Sequence, residues 1–182
     1  MSTNVLALAA LTLCCAVAPA QVKHLAFRKD QSSMTYRIVH PLHKIEATSK
    51  DVVYDLEADP AAHTFTHVSG TVDVTTFDSG NSNRDSHAME VIDAIDYPDA
   101  SFDGGSFVQR GDSLYACGKI TFHGITKDVT IAAVPHWSEG KLEVDGSFSL
   151  SLTEFKIDRP SLLMIPVEDA LNFTFTAVFG LE

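Results

Sequence analysis

Strict alternation of apolar and polar residues is the feature that most limits how this chain can fold. Lys141 to Leu152 reads KLEVDGSFSLSL, which places Leu142, Val144, Phe148, Leu150 and Leu152 on one face. Lys141, Glu143, Asp145 and three serines take the other face. Leu171 to Phe179 repeats the pattern, with Leu171, Phe173, Phe175 and Phe179 set against Asn172, Thr174 and Thr176. A period of two is that of a strand with one buried and one wet face. Ser113 to Phe122 puts Leu114, Ile120 and Phe122 together, and Val129 with Ile131 continues past a His123-Gly124 turn. Met34–His40, Val52–Leu56, His67–Phe77 and Ala100–Val108 are shorter candidates of the same kind.

About eight such strands, joined by Gly, Asp and Asn turns, predict an all-β antiparallel barrel or sandwich, and closure into a barrel leaves the fewest exposed edges. One segment breaks the pattern. Ser82-Asn83-Arg84-Asp85 has the form of a capping box, and Ala88, Val91, Ile92 and Ile95 then recur at helical spacing up to Pro98. The spacing predicts one short helix over Ser82 to Tyr97, lying across an end or side of the sheet.

The chain has 182 residues, enough for one ordinary domain, and 45% of them are hydrophobic, enough to bury a core. Acidic side chains outnumber basic ones 24 to 13. That balance is wrong for a nucleic-acid binder, which needs a basic face to neutralise phosphates, and taken over the whole chain it disfavours adsorption to an anionic membrane surface. Val5 to Ala18, VLALAALTLCCAVA, is uncharged but too short to span a bilayer, which takes about 20 residues. Followed by Ala18-Pro19-Ala20, it reads as an export signal over residues 1–20, leaving a domain over residues 21–182 with no membrane segment. Lipoprotein processing at Cys14 or Cys15 fits less well, because Leu13 and Cys14 occupy the place of the small residue. Cleavage after Ala20 leaves Cys117 as the one cysteine, so no internal disulfide is expected in the periplasmic or secreted product.

Three stretches resemble the family of YceI-like proteins. Phe77-Asp78-Ser79-Gly80-Asn81-Ser82-Asn83-Arg84-Asp85-Ser86-His87 is similar to its turn-and-helix signature. Tyr97-Pro98-Asp99-Ala100-Ser101-Phe102 matches the step that follows, and Gly118-Lys119-Ile120-Thr121-Phe122-His123-Gly124-Ile125-Thr126-Lys127 matches its strand and turn. The resemblance implies an extended lipocalin-like antiparallel β-barrel of about eight strands with one short helix. It also implies an exported protein, some members of the family enclosing a long isoprenoid or other lipid chain, often as homodimers. Two stretches depart from the family pattern. His40-Pro41-Leu42-His43-Lys44-Ile45-Glu46 carries charge where the family is more apolar, and the segment from Asp158 to Asp169 looks like a subgroup version of the last loop.

A barrel of this size either fills its centre with side chains or holds one elongated ligand. Tyr36, Ile38, Val72, Val74, Phe102, Leu114, Ile120, Phe122, Phe148, Phe173 and Phe175 are the candidates to line such an interior. Periodicity alone does not separate a tunnel from a solid core. Arg84 and Asp85 are candidate contacts for a ligand headgroup, though their place in a capped turn gives them a structural role first. Arg159 and Asp169 are candidate clamps on the last long loop. Among the eight histidines, His40 and His43 are three apart and face opposite sides of a strand, and His63 and His67 lie ~13 Å apart, so no local metal site is expected. No nucleophile elbow, P-loop, dinucleotide fingerprint or CxxC occurs, so no catalytic residue and no cofactor are assigned.

Overall fold

A computed structural model describes residues 21–181, so the expected export signal lies outside the described residues. Among the described residues, thirteen strands and one α-helix follow in chain order. They are β1 (Lys23–His24), β2 (Ala26–Phe27), β3 (Ser33–His40), β4 (His43–Ser49), β5 (Val52–Asp59) and β6 (Thr64–Asp73). After α1 (Ser82–Val91) come β7 (Asp99–Arg110), β8 (Ser113–Phe122), β9 (Ile125–Ser138) and β10 (Lys141–Ser151). A small hairpin, β11 (Ser161–Leu162) and β12 (Ile165–Pro166), precedes β13 (Ala170–Gly180).

All but the hairpin belong to one antiparallel sheet in the order β1-β5-β6-β7-β8-β9-β10-β13-β3-β4, with β2 also on β13. The longest alternating stretches give the longest ladder. In β10 and β13, Phe148 stands opposite Phe173, Leu150 opposite Leu171 and Leu142 opposite Phe179, so both apolar faces turn to the same side. The His123-Gly124 turn between β8 and β9 has both residues at positive φ, 48° and 68°, as a two-residue hairpin requires.

No ladder pairs β4 with β5 among the described residues. The seam between the two halves of the sheet is instead spanned by the segment from Lys23 to Arg28. Lys23 and His24 pair with Ala58 and Glu57 of β5, and Leu25 N–H donates to the Leu56 carbonyl at 2.9 Å. Ala26 and Phe27 then pair with Gly180 and Phe179 of β13, and Arg28 N–H donates to the Val178 carbonyl at 2.8 Å. At the other side of the seam, Thr48 and Asp78 exchange backbone bonds and the Ser49 and Thr76 hydroxyls share one of 2.6 Å.

Several local expectations change. Helix α1 ends at Val91, six residues short of Tyr97, because Asp93 adopts a left-handed φ of 47° and turns the chain. Ile95, expected on the buried stripe, is 97% exposed. The N-cap is Asn81 rather than Ser82: its Oδ1 accepts from Arg84 N–H at 3.1 Å, while Asp85 Oδ1 accepts from Ser79 N–H at 3.2 Å. The strand expected to run to Phe77 stops at Asp73, whose carboxylate caps a 3-10 turn at Thr75 N–H. His40 and His43 do not face opposite sides. The chain reverses at Pro41-Leu42, so the two pair across the β3–β4 hairpin with ring centroids 5.0 Å apart.

Asp169 and Arg159 do clamp the last long loop. Asp169 accepts from the Ser151 hydroxyl at 2.5 Å and from Thr153 N–H at 2.9 Å, and these bonds hold its carboxyl below the usual carboxylate range. Arg159 donates to the Val167 carbonyl from Nε, at 2.8 Å, and from a terminal nitrogen. A carboxyl with a depressed folded-state pKa stabilises the fold above its unfolded pKa, and that stabilisation disappears as pH falls through the folded value. Asp169→Ala is therefore expected to lower Tm at neutral pH by about 3 °C, with the gap narrowing below about pH 4 in thermal melts across pH.

Candidate functional site

Among the described residues, the inward faces of the sheet line a cavity of about 260 Å³, bounded by side chains from β3 through β10, β13 and helix α1. On β13 alone the lining runs from Leu171 to Phe179, roughly 27 Å of strand at about 3.4 Å per residue. A small volume spread over that length makes a slender bore. One apolar cluster, built on Phe122, Leu152, Phe155, Ile157 and Val167, closes the end beneath α1 and the last loop. A second, built on Leu25, Leu142, Ala177 and Phe179, closes the end beneath the N-terminal segment. Phe27, Tyr54 and Phe175 pack against both.

The residues expected on the interior all reach this cavity. Tyr36 and Ile38 enter from β3, Phe102 from β7, and Leu114, Ile120 and Phe122 from β8. Phe148 enters from β10, and Phe173 and Phe175 from β13. Phe148 and Phe173 lie in parallel, with centroids 4.8 Å apart and planes 10° off. Val72 enters at the end of β6 and Val74 just beyond it, in the 3-10 turn.

Why the interior is hollow follows from its glycines. A Cβ on Gly146 would lie 2.2 Å from Phe175 Cζ, and one on Gly70 would lie 2.8 Å from Tyr54 Cδ1. Gly118 and Gly104 together receive Phe102, whose Cζ would sit 2.8 and 2.7 Å from their added Cβ atoms. Each ring therefore lies flat along the wall over a residue without a side chain. With any larger residue beneath it, the ring would project into the bore. The alternation pattern finds the rings, and glycines inside those same strands were the signal for their orientation.

Polar groups gather where α1 meets the cavity. Arg84, Asp85, His87 and Ala88 border it beside Tyr36. Arg84 Nε donates to Ser79 Oγ at 2.8 Å and a terminal nitrogen donates to the Ser79 carbonyl at 2.7 Å, so its partner is Ser79. Ser79 Oγ also binds Asp85 Oδ1, which ties Arg84 and Asp85 into one unit. Burial raises the Tyr36 phenol above its usual range, with Asp85 adding to the rise and Arg84 opposing it. Burial also keeps the Tyr54 hydroxyl neutral, and it has no hydrogen-bond partner among the described residues.

His123, a motif residue, serves as a strut: its Nδ1 donates to the Phe155 carbonyl at 2.8 Å and its Nε2 faces Asp93 Oδ2 at 3.2 Å. His40 is buried, with Nδ1 accepting from Leu42 N–H at 3.2 Å and Nε2 donating to the Ile165 carbonyl at 3.0 Å. Cys117 Sγ lies 3.6 Å from the Thr130 hydroxyl on the neighbouring strand. Among the described residues no three His, Cys, Asp or Glu side chains gather as a metal centre would require.

Comparisons with known proteins agree with this architecture. The family model for the YceI-like domain matches residues 25–179. A UPF0312 protein of Vibrio campbellii is 33% identical over 99 residues, half of this chain and 52% of its own length. Protein YceI of Escherichia coli O157:H7 is 34% identical over 79 residues, 42% of this chain and 40% of its own. The alignments thus span about half the length of these curated relatives or less. Among solved structures, BcnA of Burkholderia cenocepacia superposes with a TM-score of 0.76 at 20% identity, covering 84% of this chain and 98% of that one. A polyisoprenoid binding domain from Saccharophagus degradans superposes with a TM-score of 0.62 at 9% identity, covering 88% and 99%. With the matched region running from the seam-spanning segment to the end of β13, this chain belongs to the YceI-like domain family.

Proposed function

We propose that the protein is an exported, non-enzymatic binder that holds or carries one long apolar chain, a polyisoprenoid, an isoprenoid quinone or a fatty-acid-like lipid, inside its sheet. The observation that carries this reading is the slender bore walled by aromatic and aliphatic side chains. Each Å² of apolar ligand surface taken from water there contributes roughly 25 cal/mol, and a chain that threads the bore is covered on all sides. The description of the Saccharophagus degradans domain as polyisoprenoid binding supports the same ligand class. Arg84, Asp85 and Tyr36 border the cavity at its polar edge, and on this reading they meet the headgroup, so selectivity among chains would rest on them.

Cleavage after Ala20 would suit the surroundings of Gln21. Its backbone nitrogen donates to Asp59 Oδ2 at 2.9 Å, and Asp59 also accepts from Ala61 and Ala62 N–H. These bonds, that from Ala62 foremost, hold the Asp59 carboxyl below its usual range. Cleavage after Ala20 would turn the Gln21 amide into an ammonium facing a carboxylate, a stronger bond of the same geometry. The intact mass of protein recovered outside the cytoplasm is expected to match a chain beginning at Gln21.

Native mass spectrometry of that protein, produced in a host rich in quinones and polyprenyl lipids, tests the binding. One long-chain lipid per chain is expected, released on fragmentation. Phe148→Arg places a cation against the stacked Phe173 ring and is expected to abolish the adduct while the strand circular dichroism persists. Retention of the adduct by a folded Phe148→Arg protein would overturn the reading.

The wall geometry gives a second, independent check. In Gly146→Ala the new Cβ and the Phe175 ring cannot share the wall, so the ring must swing into the bore. Affinity for the lipid is expected to fall at least about tenfold, equivalent to 1.4 kcal/mol. Adding Phe175→Leu, which removes the ring, is expected to restore most of it.

A further inference from the structure

Two apolar tips stand out from the end of the sheet where the cavity meets the last loop. The first is the turn between β3 and β4, where Leu42 is 63% exposed. The second is the β11–β12 hairpin, where Leu162, Leu163, Met164 and Ile165 are all exposed, Met164 at 97%. Hairpin tips of soluble proteins are ordinarily polar, and two-residue turns of this type ordinarily carry Asn-Gly. Here Leu163 and Met164 hold the two central positions at φ 53° and 65°, a left-handed conformation that bulky residues adopt only at a cost of the order of 1 kcal/mol each. The chain thus keeps large apolar groups in water on a backbone suited to small polar ones.

The tips are held together and held at the cavity. The buried His40 imidazole bonds Leu42 N–H with one nitrogen and the Ile165 carbonyl with the other, so one ring fixes both. Glu168 N–H donates to the Val39 carbonyl at 2.7 Å, and Val167 N–H to the Pro160 carbonyl at 2.9 Å. Pro160 and Val167, which bracket the hairpin, line the cavity itself. The charges are sorted too. From Arg159 to Val167 and from His40 to Ile45 there is no acid, while Arg159, His43 and Lys44 are basic, in a chain with 24 acids and 13 bases. Acids resume at the bases of the tips, at Asp158, Glu168 and Glu46.

We propose that these two tips dock on a lipid bilayer carrying anionic headgroups, so that the apolar cargo passes between membrane and cavity without crossing water. The inference rests on the binding function proposed above. Apolar side chains flanked by cations, with no acid between them, match the boundary between acyl chains and anionic headgroups. A second copy of the chain fits less well. Five side chains, two of them less than half exposed, fall short of the ~800 Å² that each partner of a stable pair covers, and a protruding tip offers no broad face to match.

The decisive variant is Leu163→Asn with Met164→Gly, which supplies the turn the backbone prefers and removes the two most exposed apolar groups. It is expected to fold at least as stably as the parent, and neither residue lines the cavity. Both proteins would be floated with vesicles of phosphatidylethanolamine and phosphatidylglycerol, and with vesicles of phosphatidylcholine alone. The parent is expected to bind the anionic vesicles at least tenfold more tightly than the variant does, with the difference reduced on phosphatidylcholine. Transfer of a fluorescent prenyl lipid from vesicle to protein should slow by a similar factor in the variant, with uptake of the same lipid from detergent unchanged. Equal vesicle binding by parent and variant overturns the proposal, as does binding by neither. A parent that is dimeric and a variant that is monomeric in sedimentation, without a change on vesicles, overturns it in favour of an interface between copies. If neither protein takes up the lipid from detergent, the cavity reading fails, and the flotation result still decides the docking.

Discussion

The interior exists because six residues at the start of the described chain span a seam that the long strands leave unpaired. Lys23 to Leu25 bond to β5 and Ala26 to Arg28 bond to β13, so one extended segment satisfies backbone groups on both. Without it, both strand edges would present bare amides and carbonyls beside an apolar bore, where unpaired polar groups are costly. The contact is reinforced by side chains. Leu25 is buried, Phe27 packs edge-on to Tyr54 at 5.5 Å and against Phe179 at 5.8 Å, and Ser32 Oγ accepts from Val178 N–H. The same Phe27 and Tyr54 belong to both apolar clusters, so closing the seam and closing the cavity are one packing event.

Much of this was legible in the sequence, for a physical reason. Where a strand carries several large apolar residues on one face, as β8, β10 and β13 do, alternation locates it and says which residues point inward. The readings that failed are those with a weaker local signal. Strand β4, HKIEATS, has a single large apolar residue and was missed, and β1 and β2 are too short to show a period at all. His40 and His43 were assigned opposite faces by counting along an extended chain, and the Pro41-Leu42 reversal breaks that count. At α1 both Asn81 and Ser82 are good cap residues, and the backbone chose the first. Beyond Val91 the apolar spacing continues, but Asp93 leaves the helical region, so Ile95 keeps its spacing and loses its burial.

Alternation could not say whether the interior was hollow. The inward positions are the same in a filled barrel and an empty one, and what differs is the direction each ring takes from its Cα. Glycine decides that direction. Gly70, Gly104, Gly118 and Gly146 all sit inside strands, where glycine costs stability unless something uses the space above it. Here a ring uses it each time, and the pairings are set by register: Gly70 opposite Tyr54, Gly146 opposite Phe175, and Gly104 opposite Gly118 beneath Phe102. The sheet thus gains aromatic contact area along its wall while the space along the axis stays open.

The two ends of the bore are built differently, and the difference gives the molecule a direction. At one end the N-terminal segment, Leu142 and Phe179 make an apolar plug held mainly by backbone ladder bonds, with the Ser32 hydroxyl on Val178 N–H and Lys23 Nζ on the Leu181 carbonyl beside them. At the other, closure depends on separate side-chain ties: His123 to Phe155, Asp169 to Ser151 and Thr153, Arg159 to Val167, and His40 to the two tips. Each tie holds one loop and can be released without unzipping a strand, so the cost of opening this end is a few hydrogen bonds rather than a ladder. The polar border at Arg84 and Asp85, the two stretches that depart from the family pattern and the exposed apolar tips all lie along that same loosely tied rim. On the proposed function, a cargo with a long tail and a polar head would enter such a bore tail first, and its head would then rest where the ties, the charges and the tips are already gathered.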